Sequence, residues 1–341
     1  MREMAFKGWE TSRITSDDGR LVTAMQPVIV SASRSTDLPA FHHEWFYRRL
    51  KKGHVVWNNP FNRSRHYVSF SKARVFIFWT KDPQNFMKRL PELDAGNYNY
   101  YFQFTLNDYA DEGLEPFVPP LSERIETFKR LSDKIGRERV VWRFDPLILT
   151  EQASVQTLTD KVARVAEALK DHTEKLVTSF ADINGYRKVR RNLEEAGIGW
   201  RNFTALEMTT MAENLGQIGD ATDLEIATCA EKIDLSTRGI IHNKCVDDEL
   251  MVRLFANDEK LMDFLGAGNS HSSLLPEHGI KSGAGLKDRG QRKACGCIVS
   301  KDIGQYDTCM HFCAYCYAND SKEIVIRNFS GMTERGCESI L

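Results

Sequence analysis

Short apolar runs alternate with longer amphipathic stretches over the first two thirds of the chain. The runs are rich in β-branched and aromatic residues, which is typical of buried strands in a parallel sheet built from βα units. We predict strands at Pro27–Ser33, Arg74–Thr80, Tyr100–Leu106, Val140–Asp145, Lys175–Phe180 and Leu224–Cys229, with a shorter seventh at Val55–Asn58.

Helical periodicity fills most intervals between these strands. The predicted helices are Phe41–Lys52, Pro83–Leu90, Leu121–Ile135, Ser154–Ala168, Gly185–Ala196 and Thr204–Gly219, with Ser122 and Ser154 as N-caps. Six or seven βα units favour a closed barrel over an open sheet. The expected fold class is therefore α/β, a TIM-like parallel (β/α) barrel, followed by a C-terminal extension.

The periodic pattern weakens after residue 256, and this change defines the expected domains. Residues 257–292 are rich in Gly, Ser, His, Lys and Pro, which predicts a long connecting loop. Residues 293–341 carry six of the eight cysteines, and 323–327 is a candidate strand. We therefore expect a (β/α) barrel over 1–256 and a cysteine-rich, cluster-binding extension over 293–341 that packs on the barrel mouth.

Several predicted strands end in polar residues or tryptophan: Ser31, Ser33, Arg34, Asp37, Trp79, Thr80, Lys81, Gln103, Thr105, Arg143, Asp145, Ser179 and Asp182. Because the carboxyl ends of barrel strands meet at one mouth, these groups are expected to line one polar pocket. The alternative is that they cap helices and pair with one another. Arg143 is a candidate clamp for a carboxylate or phosphate, or else one member of a structural Arg-Asp ladder.

Composition and charge narrow the function classes. An apolar content of 42% in 341 residues suffices for a sizeable core. A net charge of -1 gives no general attraction to a polyanion, so nucleic acid is a candidate partner but not a favoured one. No stretch approaches the roughly 18 apolar residues of a membrane span. Eight cysteines in a long chain without a signal segment favour a reducing, cytoplasmic location over disulfides.

Cys309, Cys313 and Cys316 stand in a C-x3-C-x2-C run. A short loop brings three thiolates to three corners of a [4Fe-4S] cluster at low entropic cost and leaves the fourth iron open to a small molecule. The alternative is a structural zinc site completed by Cys295, Cys297 or His311.

This run continues as Cys-Ala-Tyr-Cys-Tyr, and it resembles the core signature of the radical S-adenosylmethionine enzymes, in particular the spore photoproduct lyase type. The resemblance implies a [4Fe-4S] cluster whose open iron is chelated by S-adenosylmethionine, and one-electron cleavage to a 5'-deoxyadenosyl radical. It implies that Tyr315 packs near the adenine and that a flavodoxin or ferredoxin type of electron donor acts as partner. The remaining candidate cofactor-binding residues are Arg34, Asp37, Lys81, Gln103, Arg143, Asp145 and Ser179, whose charges suit this zwitterion.

Four further thiols, Cys229, Cys245, Cys295 and Cys297, remain after the three-cysteine run is assigned. Four is the number that closes an auxiliary iron-sulfur cluster, so these residues are candidate ligands of a second cluster. The alternative is that they are small apolar core residues. Cys337 is interpreted as an incidental thiol.

Two features depart from the radical S-adenosylmethionine family. Its signature normally follows the first strand of a partial barrel, whereas here it trails all the predicted barrel strands, as in phosphomethylpyrimidine synthase. Either the barrel is circularly permuted or a C-terminal tail folds back over the mouth. The glycine-rich segment that contacts the methionine amine in the family is also not recognisable.

Over its full length the chain resembles an uncharacterised bacterial family described as a domain of unknown function. The segments that carry this resemblance are residues 31–40, 78–83, 141–146 and the Cys-Gly-Cys of 295–297 with the downstream cysteines. The expected function is a radical S-adenosylmethionine enzyme acting on an unidentified substrate. The alternatives are a non-catalytic iron-sulfur or zinc protein, and a nucleic-acid repair or modification enzyme of photoproduct-lyase type with a basic groove.

Overall fold

A computed structural model describes residues 6–267, 283, 285–333 and 337–341. The strands are β1 Thr11–Thr15, β2 Leu21–Met25, β3 Ile29–Ser31, β4 His54–Asn58, β5 Arg65–Ser69, β6 Val75–Thr80, β7 Asn99–Thr105, β8 Val140–Leu147, β9 Leu149–Thr150, β10 Lys175–Phe180, β11 Trp200–Arg201, β12 Glu225–Thr228, β13 Ile241–His242 and β14 Lys301–Asp302. The α-helices are α1 Leu38–Phe41, α2 His43–Lys52, α3 Leu90–Ala95, α4 Leu121–Ile135, α5 Val155–Leu169, α6 Arg187–Glu195, α7 Ala205–Thr222, α8 Asp248–Leu254, α9 Glu259–Leu265 and α10 Lys322–Thr333.

Eight strands form one sheet in the order β13, β12, β10, β8, β7, β6, β3, β14, and every neighbouring pair is parallel. The order follows the chain from β3 to β13, as expected for successive βα units. Strand β14 is the exception, since it comes from the C-terminal third and pairs with β3. Among the described residues, β13 and β14 are the two edge strands of this sheet and do not pair with each other. The predicted closed barrel is therefore not shown.

The short strand predicted at Val55–Asn58 exists as β4, but it lies outside the parallel sheet. It belongs to a second sheet with the order β1, β2, β5, β4 and pairs antiparallel with β5. The turn between β4 and β5 is tight, since the backbone N–H of Asn59 donates to the carbonyl oxygen of Ser64 at 2.9 Å. Such a short connection permits antiparallel pairing only, because a parallel crossover needs a dozen or more residues.

Both faces of the parallel sheet are buried, which explains why its strands read as continuous apolar runs. Side chains alternate along β7: Phe102 and Phe104 face a large aromatic core that the main helices cover, whereas Tyr101 faces a smaller core on the other side. The smaller core contains residues of α8 and α9 together with Cys245, Cys295 and Cys297.

The predicted helices are confirmed where the amphipathic pattern is long, and α4 has the predicted bounds. Ser154 caps α5, because its side-chain oxygen accepts the backbone N–H of Thr157 at 3.2 Å. The predicted cap at Ser122 is wrong, since α4 already begins at Leu121 after Pro120. The helix predicted at Pro83–Leu90 is instead a 3-10 turn at Phe86–Arg89 that continues into α3.

The C-terminal third differs from the prediction at two places. Helix α9, capped by the side chain of Asp258, lies within the segment predicted as a connecting loop, while residues 268–282 and 284 of that segment lie outside the described residues. The strand predicted at 323–327 is wrong, because this run belongs to α10. The hydroxyl of Ser321 accepts the backbone N–H of Ile324 at 3.3 Å, so a helix cap outweighs the β-propensity of the run. Among the described helices none has the length and apolarity to cross a bilayer.

Candidate functional site

Most of the polar strand ends line one cavity of about 380 Å³ at the carboxyl edge of the parallel sheet. The predicted residues in its wall are Ser33, Arg34, Asp37, Trp79, Thr80, Lys81, Thr105, Arg143, Asp145, Ser179 and Asp182. Their convergence follows from the parallel topology, in which all strands end at the same edge. Gln103 is buried beside the cavity and does not line it, and the hydroxyl of Ser31 instead contacts that of Ser300 at 2.7 Å.

Seven of the eight cysteines line this same cavity. They form two sets, which we name the three-cysteine loop, Cys309, Cys313 and Cys316, and the four-cysteine group, Cys229, Cys245, Cys295 and Cys297. All eight cysteines are free thiols. Cys337 lies apart from the cavity wall, and its backbone oxygen accepts the indole N–H of Trp45 at 2.9 Å.

The three-cysteine loop connects β14 to α10 and is fixed to several other segments. The backbone N–H of Ala314 donates to the carbonyl oxygen of Leu114 at 2.9 Å, and the imidazole Nε2 of His42 lies 2.9 Å from the carbonyl oxygen of Thr308. Phe312 has a left-handed backbone with φ of 48°, which is unusual for a bulky residue and tightens the loop between Cys309 and Cys313. The loop is therefore held in place before any ligand binds.

The thiols of this loop are chemically suited to a metal. Burial raises the pKa of Cys309 to about 12 and raises the pKa values of Cys313 and Cys316 as well, so the metal-free thiols are neutral. A metal would replace these protons, because thiolates are the ligating form. Cys316 Sγ also accepts the backbone N–H of Ala318 at 3.4 Å, a contact that supports a metal-bound sulfur.

The imidazole of His311 contacts the carboxylate of Asp37. Its Nε2 lies 2.8 Å from Oδ2 of Asp37, and the same carboxylate accepts the backbone N–H groups of Lys81 at 2.6 Å and Ala40 at 3.0 Å. Asp37 thus caps α1 and ties the three-cysteine loop to the end of β6.

The spacing of the possible ligand atoms bears on the zinc alternative. Among the described residues, no three cysteine or histidine ligand atoms lie mutually within 4.8 Å of one another. A tetrahedral zinc site needs sulfurs about 3.8 Å apart. The arrangement does not favour the zinc alternative.

Lys81 belongs to a largely buried polar network beside the three-cysteine loop. Its Nζ donates to Oε1 of Glu115 at 2.7 Å and to the hydroxyl of Tyr315 at 2.9 Å, and the Tyr315 hydroxyl donates to the same carboxylate. Asn107 donates to both acceptors, and Arg124 lies 3.5 Å from Glu115. The sulfur of Cys313 is close enough to this network to contribute to the raised pKa of Lys81.

The charges of this network are maintained despite burial. Burial by itself lowers the pKa of Lys81, but Glu115 and then Cys313 outweigh it, so the pKa lies above the ordinary value. Burial likewise raises the pKa of Glu115, and Lys81 and Arg124 reverse that shift. Sequence reasoning missed Glu115 and Arg124, since neither lies in a motif or at the end of a predicted strand, and it overlooked Asn107, which directly follows the strand predicted at Tyr100–Leu106.

The four-cysteine group is assembled from three segments. Cys229 directly follows β12, Cys245 follows β13, and Cys295 and Cys297 precede β14. Cys229 Sγ lies 3.6 Å from Cys245 Sγ, and further thiol contacts join Cys245 to Cys297 and Cys297 to Cys295. Cys297 Sγ accepts the backbone N–H groups of Cys245 at 3.2 Å and of Val246 at 3.4 Å. The four sulfurs form a continuous row.

Arg143 hydrogen-bonds to the four-cysteine group and to its own strand neighbours. Its Nη1 donates to Cys245 Sγ and to Oε1 of Gln103, both at 3.0 Å, and its Nη2 donates to Asp145. Ser179 in turn donates to Asp145. The described contacts match the Arg-Asp ladder alternative more closely than the predicted anion clamp.

The protonation of the four-cysteine group differs from that of the loop. The pKa of Cys245 lies well below the ordinary thiol value, because its sulfur accepts hydrogen bonds from Cys229 and Cys297 and also lies beside Arg143. The hydrogen bond to Cys297 lowers the pKa of Cys295 to about 6. The metal-free group therefore holds thiolates at neutral pH.

Arg34 is a cation of the cavity wall that has spare hydrogen-bonding capacity. Its guanidinium lies 5.1 Å from the ring centre of Trp79 and 4.0 Å from the carboxylate of Asp288. Its buried Nη2 has no hydrogen-bond partner among the described residues. Trp142, in the neighbouring part of β8, is a core side chain whose indole N–H donates to the carbonyl oxygen of Leu106 at 3.0 Å.

The chain matches a family model over most of its length. Residues 29–318 fit the family described as Domain of unknown function (DUF1848), a stretch that contains the cavity, the three-cysteine loop and the four-cysteine group. No curated protein matches the chain. The family description carries no activity.

Proposed function

We propose that this chain, which belongs to the DUF1848 family, is a radical S-adenosylmethionine-type enzyme acting on an unidentified substrate. The observation that carries the proposal is the three-cysteine loop, whose C-x3-C-x2-C spacing presents three buried thiols to a cavity of about 380 Å³. His311, the nearest alternative ligand in the sequence, is held by Asp37. A cluster with three protein ligands keeps one iron for a small molecule, and the cavity offers space for it.

The strand order of the sheet also supports the proposal. In the radical S-adenosylmethionine family the signature follows the first strand of a partial barrel. Here β14 lies beside β3 at the sheet edge, with Lys301 opposite Val30, and is followed by the three-cysteine loop and then by α10. The order of strand, cysteine loop and helix is therefore the family order with its first unit moved to the C-terminus. We accordingly propose a circularly permuted, TIM-like partial barrel.

The residues around the cavity fit the cofactors. When bound, an open [4Fe-4S] cluster supplies the electron that cleaves S-adenosylmethionine and yields a 5'-deoxyadenosyl radical. Cys309, Cys313 and Cys316 would hold the cluster, and the cation of Lys81 balances the charge of the thiolates. The unpartnered Nη2 of Arg34 suits a carboxylate. The apolar flank of the cavity, including Trp79, excludes water from a reactive radical.

The test is anaerobic reconstitution with iron and sulfide, followed by incubation with reductant and S-adenosylmethionine. We expect 5'-deoxyadenosine on chromatography from the wild type and from Cys337→Ala, which changes a thiol outside the cavity wall. A fully loaded wild type that neither binds nor cleaves S-adenosylmethionine would favour the alternative of a non-catalytic iron-sulfur protein. If radical cleavage occurs, nucleic-acid oligomers belong among the first substrates to be tested, because the loop resembles that of photoproduct lyases.

A further inference from the structure

We propose that the four-cysteine group binds a second iron-sulfur cluster, one with four thiolate ligands, in the wall of the same cavity. The inference goes beyond the proposed function, since a four-thiolate site does not itself bind S-adenosylmethionine. It rests on the convergence of Cys229, Cys245, Cys295 and Cys297, whose sulfurs adjoin one another in a row.

The surroundings of the sulfurs are those of ligands and differ from those of core thiols. A buried cysteine in a core behaves as a small hydrophobe and needs no polar partners. Cys245 Sγ, in contrast, accepts from Nη1 of Arg143 at 3.0 Å and from Nδ2 of Asn243 at 3.2 Å. Cys297 Sγ accepts two backbone N–H groups. Hydrogen bonds to the ligand sulfurs tune the reduction potential of iron-sulfur clusters in proteins.

The charges nearby match an anionic centre. Four thiolates around an iron-sulfur core carry a net negative charge, and burying it requires cations in contact. Arg143 lies at hydrogen-bonding distance from Cys245, and Arg34 adds a second guanidinium, whose charge the sulfurs of Cys297 and Cys245 stabilise. The buried Nη2 of Arg34 has no hydrogen-bond partner among the described residues, so one donor remains for such a centre.

The spacing of the sulfurs favours a cluster over a single zinc ion. Zn–S bonds of about 2.3 Å in a tetrahedron place all sulfurs about 3.8 Å from one another. Cys229 and Cys245 meet that value at 3.6 Å, but no three of the cysteine sulfurs lie mutually within 4.8 Å. An extended row fits a larger, multi-iron core better than one ion. The row also borders an open cavity, whereas structural zinc sites are closed.

The experiment separates the two sites by iron and sulfide content after anaerobic reconstitution. A triple variant, Cys309→Ala, Cys313→Ala and Cys316→Ala, is expected to keep about half of the wild-type iron and a four-thiolate cluster signal in Mössbauer and electron paramagnetic resonance spectra. Cys229→Ser with Cys245→Ser is expected to lose the complementary half. Cys337→Ala is the matched thiol control and should keep all of the iron.

The outcomes test the second cluster separately from the proposed function. A triple variant that is folded by circular dichroism yet free of iron overturns the second cluster, as does one zinc ion per chain in place of iron. A triple variant with half of the iron supports it, even if the wild type cleaves no S-adenosylmethionine and the proposed function fails. Should the triple variant not fold, the wild type alone remains informative, because iron and sulfide that amount to only one cluster per chain in a fully loaded protein would contradict the inference.

Discussion

The three-cysteine loop and the four-cysteine group line one cavity, but the chain builds them in different ways. The loop spans residues 309–316 and packs Ala314 and Tyr315 against the large aromatic core. The four-cysteine group draws its thiols from positions 229 to 297 and packs against the smaller core on the other face of the sheet. A local spacing is visible in a sequence, whereas an assembled site becomes visible only when the strands are ordered.

The electrostatic surroundings differ as well. Lys81 and Glu115 form a closed ion pair beside the loop, whose thiols are neutral because burial raises their pKa values. Arg143 contacts the four-cysteine group directly, and the pKa of Cys245 is low. The loop therefore needs a metal to deprotonate it, whereas the group already holds thiolates.

Removing the central cysteine of the loop should have the largest effect. We expect Cys313→Ala to abolish 5'-deoxyadenosine formation entirely and to remove about half of the bound iron, because the loop cannot hold a cluster with two ligands. Chromatography and iron analysis measure both quantities. Cys337→Ala serves as the control, and full cleavage activity in Cys313→Ala would exclude the loop as the site.

Thiol reactivity should separate the two sites next. The pKa of Cys295 is about 6 and that of Cys309 about 12, so at pH 7 the first is mostly thiolate and the second almost wholly protonated. We expect iodoacetamide to modify Cys295 more than tenfold faster than Cys309 in metal-free protein, since the thiolate is the nucleophile. Peptide mapping by mass spectrometry gives the two rates. Equal rates at pH 7 would show that the two environments do not differ as described.

A substitution in the four-cysteine group should leave the loop intact. We expect Cys295→Ala to lose at most about half of the iron while S-adenosylmethionine still binds, because the three thiols of the loop are unchanged. Equilibrium dialysis with labelled cofactor measures the binding, and iron analysis measures the loss. Loss of binding together with the iron would mean that the two sets of thiols form a single site.

The ion pair beside the loop can be broken without touching a thiol. We expect Glu115→Gln to lower the free energy of unfolding by about 3 kcal/mol, because Lys81 then keeps a buried charge without its counterion. Denaturant titration measures the change. Glu167→Gln is the matched control, since Glu167 pairs with Lys170 on the exposed surface at the end of α5 and such exposed pairs contribute little to stability. A similar loss in both variants would contradict the role of the buried pair.

The smallest effect is expected where the cysteine-bearing extension approaches the end of β3. A Cβ added at Gly304 would lie 2.0 Å from Oγ and 2.5 Å from Cβ of Ser33, so Gly304→Ala forces the two segments apart. We expect a loss of about 2 kcal/mol in unfolding free energy, measured by denaturant titration, as for other overpacked sites. Gly331→Ala in α10 is the control, because nothing lies within 4 Å of its added Cβ. Equal stability of both variants would show that the extension is not tightly packed there.

The local features of this protein were determined by its sequence. Strands β6 and β10 and helices α4 and α5 follow the apolar periodicity closely, because both sheet faces are buried and each helix buries one stripe. The C-x3-C-x2-C run is equally local, since its spacing alone limits which metal core it can hold.

Tertiary structure decided what depends on distant contacts. The two-residue strand β14 has no sequence pattern of its own and is defined by its pairing with β3. Strand β4 lies outside the parallel sheet because the short turn to β5 allows only antiparallel pairing. The contact of Lys81 with Glu115 and the row of four sulfurs likewise join residues from separate segments. The hydrophobic periodicity of a helix or strand predicts which of its faces is buried. Which residues pack against that face depends on how the whole sheet is assembled.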